Sequence, residues 1–316
     1  MTLQEQIRSN HLRTALLVFG FAALFVAFGM ALGAAYDPGL IGVVGAVGIA
    51  YGLVSYFASG TIVTAATGAS PAAREKHLEL YRAVENAAIA AGLTHTPAIY
   101  VVNDRAPNAF AAGRSPKTSF VAATTGLLES MNERELAGVM AHEIAHVRNR
   151  DVRLMTIAAV FVGVIMLVTD MVGNLGFPDG DSDGGGAIFG VLIGLAALII
   201  APFAAMALQM ALSRRREFLA DAAAVEITGD AEGLARALYK LGMDHTPLRH
   251  STRATAHMYI ESPLRDQPKL RSSLAGMFTT HPPLQRRIDA LCTMGGLDPA
   301  QFSLGASDPE AATQRS

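Results

Sequence analysis

Asn132-Glu-Arg-Glu135-Leu-Ala-Gly-Val-Met-Ala-His142-Glu143-Ile144-Ala145-His146-Val-Arg-Asn149 is the stretch that decides how this chain is read. Asn132 has the side chain of a helix N-cap, and Glu135, three residues on, completes a capping-box pattern. The sequence therefore predicts a helix starting at Asn132 and running through His146. Residues four apart stand on one face of a helix, which brings the imidazoles of His142 and His146 close enough to hold one zinc ion. Glu143 lies beside that position, where it can take a proton from a water activated by the metal. With 9 histidines in 316 residues, this pattern arises by chance only ~0.01 times per chain. The plain alternative is a surface helix with two solvated histidines.

A catalytic zinc takes three protein ligands and keeps one position open. No histidine follows before His245, so the longer pattern with a third histidine close by fails. The candidates are then acidic. Asp151 is five residues past His146 and is expected to point around the helix. Asp170 lies inside an apolar run, and Asp179, Asp181 and Asp183 lie beyond it. Glu217 remains, with Asp221 at i+4 on the same helical face. Glu217 as ligand and Asp221 as acceptor for an imidazole N–H would give the two carboxylates separate roles. The alternative is an exposed helix whose carboxylates pair with Arg214, Arg215 or Arg216.

Outward from this motif the sequence is apolar: 51% of residues are hydrophobic and only 16% charged, against about 25% charged in an ordinary soluble domain. That composition excludes a disordered, solvated chain. A net charge of −2 leaves no electrostatic footprint for nucleic acid. The lone Cys292 cannot form an internal disulfide. Four runs, at 14–36, 40–63, 154–177 and 187–212, each exceed the ~20 residues that span a bilayer. Buried globular helices are the alternative for the last two. Arg8 and Arg13 precede the first run, Arg148, Arg150 and Arg153 the third, and Arg214 to Arg216 follow the fourth. By the positive-inside rule both termini and the segment 64–153 face the cytoplasm.

The expected organisation has five parts. Residues 1–63 carry two transmembrane helices, 64–153 a first cytoplasmic part with the zinc helix, and 154–212 two more transmembrane helices. Residues 213–296 form a second cytoplasmic part with the glutamate helix, and 297–316 a polar, frayed tail. The class is α+β and predominantly helical. Ala72 to Ala91 reads as an amphipathic helix, and Ala98–Val102 and Ser119–Thr124 as strands. If the zinc helix continues into the run at Leu154, His146 lies ~12 Å from that run, while Glu217 lies ~8 Å past Leu212. Both halves of the site then approach one membrane face.

Two further blocks are open to more than one reading. Asn108 to Gly113 reads as a turn-rich loop before the strand 119–124. If that strand is an exposed edge, substrate would add to it as a further strand, with Asn108 and Ala122 among the contacts. The alternative is an ordinary loop beside a core strand. His281 stands before Pro282-Pro283-Leu284, where proline at the first helical position would start a helix. It either faces the metal as an oxyanion donor or serves only that helix start.

These blocks together resemble the HtpX-type membrane zinc metalloproteases, which combine H-E-x-x-H with a distal E-x-x-x-D. The matching residues are Asn108-Ala-Phe-Ala-Ala-Gly113, Gly126-Leu-Leu128, His142-Glu-Ile-Ala-His146 with Asn149-Arg-Asp151, Ser213-Arg-Arg-Arg-Glu217-Phe-Leu-Ala-Asp221, and Thr280-His-Pro-Pro-Leu284. The resemblance implies a zincin-like cytoplasmic protease domain binding one Zn2+ through His142, His146 and Glu217. It further implies Glu143 as catalytic base, Asp221 as support for a ligand and His281 at the oxyanion. It places the chain in the prokaryotic inner membrane, acting on misfolded or damaged membrane proteins in a stress response. Two other readings stand beside it: a prenyl-protein-type membrane zinc protease, for which four spans enclose too small a chamber, and a membrane scaffold in which zinc only fixes the fold. A purely structural zinc would not need Glu143. Nothing in the sequence sets the oligomeric state.

Overall fold

The computed structural model describes residues 3–35, 38–174, 214–249, 255, 258–261 and 282–304. The run at 187–212, Asp179, Asp181, Asp183 and His281 lie outside these residues. Two long helices open the chain, α1 (Leu3–Ala35) and α2 (Gly39–Thr67). The second stops at Gly68, whose left-handed φ of 66° lets its N–H reach back to the Thr64 carbonyl, a geometry that suits a residue without Cβ. Among the described residues no helix is long and apolar enough to cross a membrane.

A small sheet follows, made of β1 (Ala69–Pro71), β2 (Ala98–Val102), β3 (Ala109–Ala112) and β4 (Phe120–Thr124) in the order β1-β2-β4-β3. Between its strands lies α3 (Leu78–Ala90), which starts several residues later than the apolar spacing suggested. After a short helix α4 (Thr125–Ser130) comes α5 (Glu133–Arg148), with the Asn132–Glu135 capping box formed in both directions. Then follow α6 (Asp151–Asn174), α7 (Arg214–Thr228), α8 (Ala231–Met243) and α9 (Leu284–Gly295).

Period-two alternation divides the sheet between two cores. Ala109, Ala111, Val121 and Ala123 pack with Leu136, Val139 and Met140 of α5 and with α3, α8 and α9. Phe110, Phe120 and Ala122 pack on the other side with Val63 of α2, Ala159 and Val160 of α6, and Tyr259. One face of the sheet thus packs on the helix carrying the histidines and the other on residues of α2 and α6.

Four expectations need correction. First, β4 is not an edge: it pairs parallel with β2 and antiparallel with β3, so Ala122 sits opposite both Tyr100 and Phe110 and is fully buried. It has no face or backbone edge left for a substrate strand. Second, the segment 108–113 is not all loop. Ala109–Ala112 forms β3, its low strand propensity overridden by pairing with β4. Third, α5 does not continue into the next run. Arg150 takes a left-handed φ of 59°, and the chain turns before α6 starts at Asp151. Fourth, the C-terminal segment from 297 is not simply frayed. Pro299–Phe302 forms a 3₁₀ turn that buries Phe302 and Leu304 against the core.

Candidate metal centre

Two helices supply the donors of the site. His142 and His146 come from α5 and Glu217 from the first turn of α7, and all three side chains are buried. One donor atom from each lies within 4.8 Å of the others. The His142 and His146 Nε2 atoms are 3.2 Å apart, and they stand 3.7 and 3.6 Å from the Glu217 oxygens. A tetrahedral zinc with N and O ligands at ~2.0–2.2 Å has ligand atoms roughly 3.3–3.6 Å apart. The donor set fits such an ion in both spacing and chemistry.

The opposite side of each imidazole is also fixed. His142 Nδ1 lies 3.0 Å from Asp221 Oδ1, and His146 Nδ1 lies 3.0 Å from Asp151 Oδ2. With each Nδ1–H donated to a carboxylate, both Nε2 lone pairs are turned toward one point. Asp221 therefore stands where the Glu217/Asp221 spacing placed it. Asp151 does not: it was expected to point around the helix, and the turn at Arg150 brings it back against His146. Among the described residues nothing else offers three donors for a metal.

Arg287 of α9 is one residue beside the site that sequence reasoning missed. It is wholly buried, and its Nε and Nη2 donate to the two Asp221 oxygens at 2.9 and 2.7 Å. Its Nη1 donates to the Ile260 carbonyl at 3.1 Å and lies 3.5 Å from Glu217 Oε2. The signal was available: Arg287 shares the face of α9 that carries the buried Leu284, Ile288 and Leu291, and an arginine on an apolar stripe is rarely left there without a partner.

Charge in this pocket is finely balanced. Burial drives the His142 pKa down to about 4, aided by the nearby Arg287 charge and opposed by Asp221. Burial acts the same way on His146, but the hydrogen bond to Asp151 and the charges of Glu217, Asp151 and Glu143 outweigh it and raise its pKa to about 9. Burial would raise the Asp221 carboxyl, yet the Arg287 charge and the hydrogen bonds from His142 and Arg287 hold it below the usual carboxylate range. Glu143 is buried between the two histidines in sequence, close enough for its charge to act on His146.

Asn108 is buried at the start of β3. Its Nδ2 donates to the Glu261 carbonyl at 2.9 Å, and its Oδ1 accepts from the Ala109 and Glu261 N–H groups. It ties the segment 258–261 to β3, where Phe110 bridges Tyr259 and the Ile260 N–H donates to the Ala109 carbonyl at 2.9 Å. The outer edge of the sheet thus carries part of this chain's own backbone.

Comparison with known proteins agrees with this arrangement. The pattern of peptidase family M48 matches residues 74–294. A protease HtpX homolog of Streptococcus gordonii is 38% identical over 302 residues, covering 92% of this chain and 100% of that protein. Those of Thermoanaerobacter pseudethanolicus and Dictyoglomus turgidum are 40% and 39% identical, covering 92% and 93% of this chain and 97% and 95% of theirs. No solved structure matches. With two buried histidines and a buried glutamate converging as the site of a metallopeptidase requires, the chain belongs to peptidase family M48 and is an HtpX-type metalloprotease.

Proposed function

We propose that this metalloprotease is a zinc endopeptidase of the prokaryotic inner membrane. In this reading it cleaves misfolded or damaged membrane proteins at the cytoplasmic face. The observation that carries the zinc reading is the buried triad His142, His146 and Glu217, with a carboxylate behind each imidazole. Zinc held there would polarise the scissile carbonyl and make its water acidic enough to lose a proton near neutral pH. Glu143 would be the base that accepts the attacking water's proton and the acid that returns it to the leaving amine. Asp221 and Asp151 hold the imidazoles in the tautomer that presents Nε2, and Arg287 holds Asp221. His281, just before α9 in sequence, is the proposed donor to the oxyanion.

The membrane part of the reading rests on the four long apolar runs, the third of which contains the single charge Asp170, and on their flanking arginines. It is supported by large apolar side chains left exposed on the first two helices, among them Leu12, Leu16 and Phe19 on α1 and Val43, Leu53 and Phe57 on α2. The proposed orientation places both termini and the site in the cytoplasm.

The test is cleavage of an unfolded model protein by zinc-loaded, detergent-purified wild type beside Glu143→Gln. Cleavage by wild type alone, with zinc retained by both, is the expected result. Equal cleavage by the two proteins would refute Glu143 as the base.

A further inference from the structure

The chemistry above makes no use of Asn10, through which a buried polar cluster joins the first helix to the metal centre. Asn10 lies on α1, four residues before the uncharged run begins at Thr14, and is 2% exposed. Its Nδ2 donates to Asp151 Oδ1 at 2.6 Å and to the Asn149 carbonyl at 3.1 Å. Its Oδ1 accepts from Arg216 Nη1 at 3.2 Å. Asn10 therefore grips the α5–α6 turn with its amide nitrogen and the start of α7 with its amide oxygen. The residue after Arg216 is the ligand Glu217.

The carboxylate that Asn10 holds is the one facing His146. Asp151 accepts from Asn10 on Oδ1 and meets His146 Nδ1 on Oδ2. A carboxylate gripped at one oxygen cannot rotate freely about its terminal bond, so the amide of Asn10 sets the plane in which Asp151 meets the imidazole. Packing alone does not call for this residue. The same helix already docks on α6 through Phe21, which stacks on Phe161 at 3.9 Å. A buried amide in such an interface is costly unless all its hydrogen bonds are made.

We infer that Asn10 is a positioning residue for the metal centre, acting through Asp151 on His146, so that α1 is a component of the active site as well as an anchor. The inference rests on the His142–His146–Glu217 centre proposed above. It implies that the metal is held correctly only while α1 keeps its register against the α5–α6 turn.

The experiment measures zinc affinity of the full chain in detergent by competition with a chelator, and the absorption bands of the protein reloaded with Co2+. Asn10→Asp keeps the shape of the side chain and its contact with Arg216 but turns an oxygen on Asp151. It is expected to weaken zinc binding about 10-fold and to shift the Co2+ bands, while Asp151→Asn weakens binding by roughly 10- to 100-fold. In the double variant Asn10→Asp/Asp151→Asn the exchanged pair can hydrogen-bond again, so it is expected to bind zinc more tightly than Asp151→Asn alone. Should Asn10→Asp fail to fold, Asn10→Ala is read against the same wild-type affinity. Zinc affinity within about twofold of wild type for the Asn10 variants, or simple additivity in the double variant, overturns the inference. An unaltered Asp151→Asn also overturns it, yet leaves the metal centre standing. A wild type that binds no zinc overturns the centre itself and this inference with it.

Discussion

Arg287→Met removes the one guanidinium that neutralises Asp221, and the structure sets the size of the effect. Both residues have no exposed surface, and the pair makes two hydrogen bonds of 2.7 and 2.9 Å. Deleting one partner of a buried ion pair costs about 3–5 kcal/mol, because the other charge is left without compensation. For a folded part of this size each kcal/mol lowers Tm by roughly 2–4 °C, so a drop of about 6–20 °C is expected. The orphaned carboxyl then takes up a proton, since burial pushes it up and only Arg287 and His142 hold it down. A protonated Asp221 grips the His142 N–H poorly, and zinc affinity falls by roughly 10- to 100-fold. Thermal unfolding in detergent at a fixed scan rate reads the first effect, and chelator competition reads the second. Arg287→Lys, which keeps the charge and loses the fork, should fall between. Arg287→Met/Asp221→Asn removes the orphaned charge, and should recover Tm without recovering zinc affinity. A Tm within about 2 °C of wild type together with unaltered zinc affinity for Arg287→Met would refute the reasoning.

Zinc must displace the proton that His146 holds up to about 9 while His142 stays neutral down to about 4. Zinc affinity should therefore fall about tenfold per unit as pH drops below 9, and a pH-independent affinity between pH 6 and 8 contradicts this. In the metal-free protein the raised His146 stabilises the fold fully below its ordinary 6.5 and ceases to do so above about 9, which thermal unfolding across that window checks. Gly138→Ala would set a Cβ 2.9 Å from the Leu234 nitrogen and 3.0 Å from its Cα. Overpacking of about 1–3 kcal/mol against backbone outweighs the ~1 kcal/mol of helix propensity gained, so Tm should fall, and a rise would count against this contact. Phe302→Ala, which empties a buried position beside Tyr239, should cost about 3–5 kcal/mol in thermal unfolding. A neutral result would return the C-terminal segment to a loose tail.

Local signals were legible and distant ones were not. The capping box at Asn132 and Glu135, the i,i+4 histidines and the Glu217/Asp221 spacing are all set within a turn or two of helix, and the structure places them accordingly. Asp151 was misplaced because a left-handed arginine at position 150 is not foreseeable from residue type, and helical extrapolation carried the side chain away from His146. The strand Ala109–Ala112 was hidden in alanines, which strand propensity disfavours and only pairing with β4 selects. Arg287 and Asn10 were missed for another reason. Their partners stand 66 and 141 positions away, and no local pattern reports a hydrogen bond across that distance. The apolar stripe of α9 did mark Arg287 as out of place.

The order in which the site's parts leave the ribosome follows from the same long separations. Asn10, the two histidines and Asp151 emerge first, Glu217 and Asp221 later, and Arg287 later still. Until α9 arrives, Asp221 is a buried carboxylate without its counter-charge, an arrangement that resists burial at all. A nascent chain therefore holds its metal weakly until α9 has emerged and neutralised Asp221. Placing the neutralising residue after both halves of the site in sequence delays full proteolytic competence until those halves can pack together.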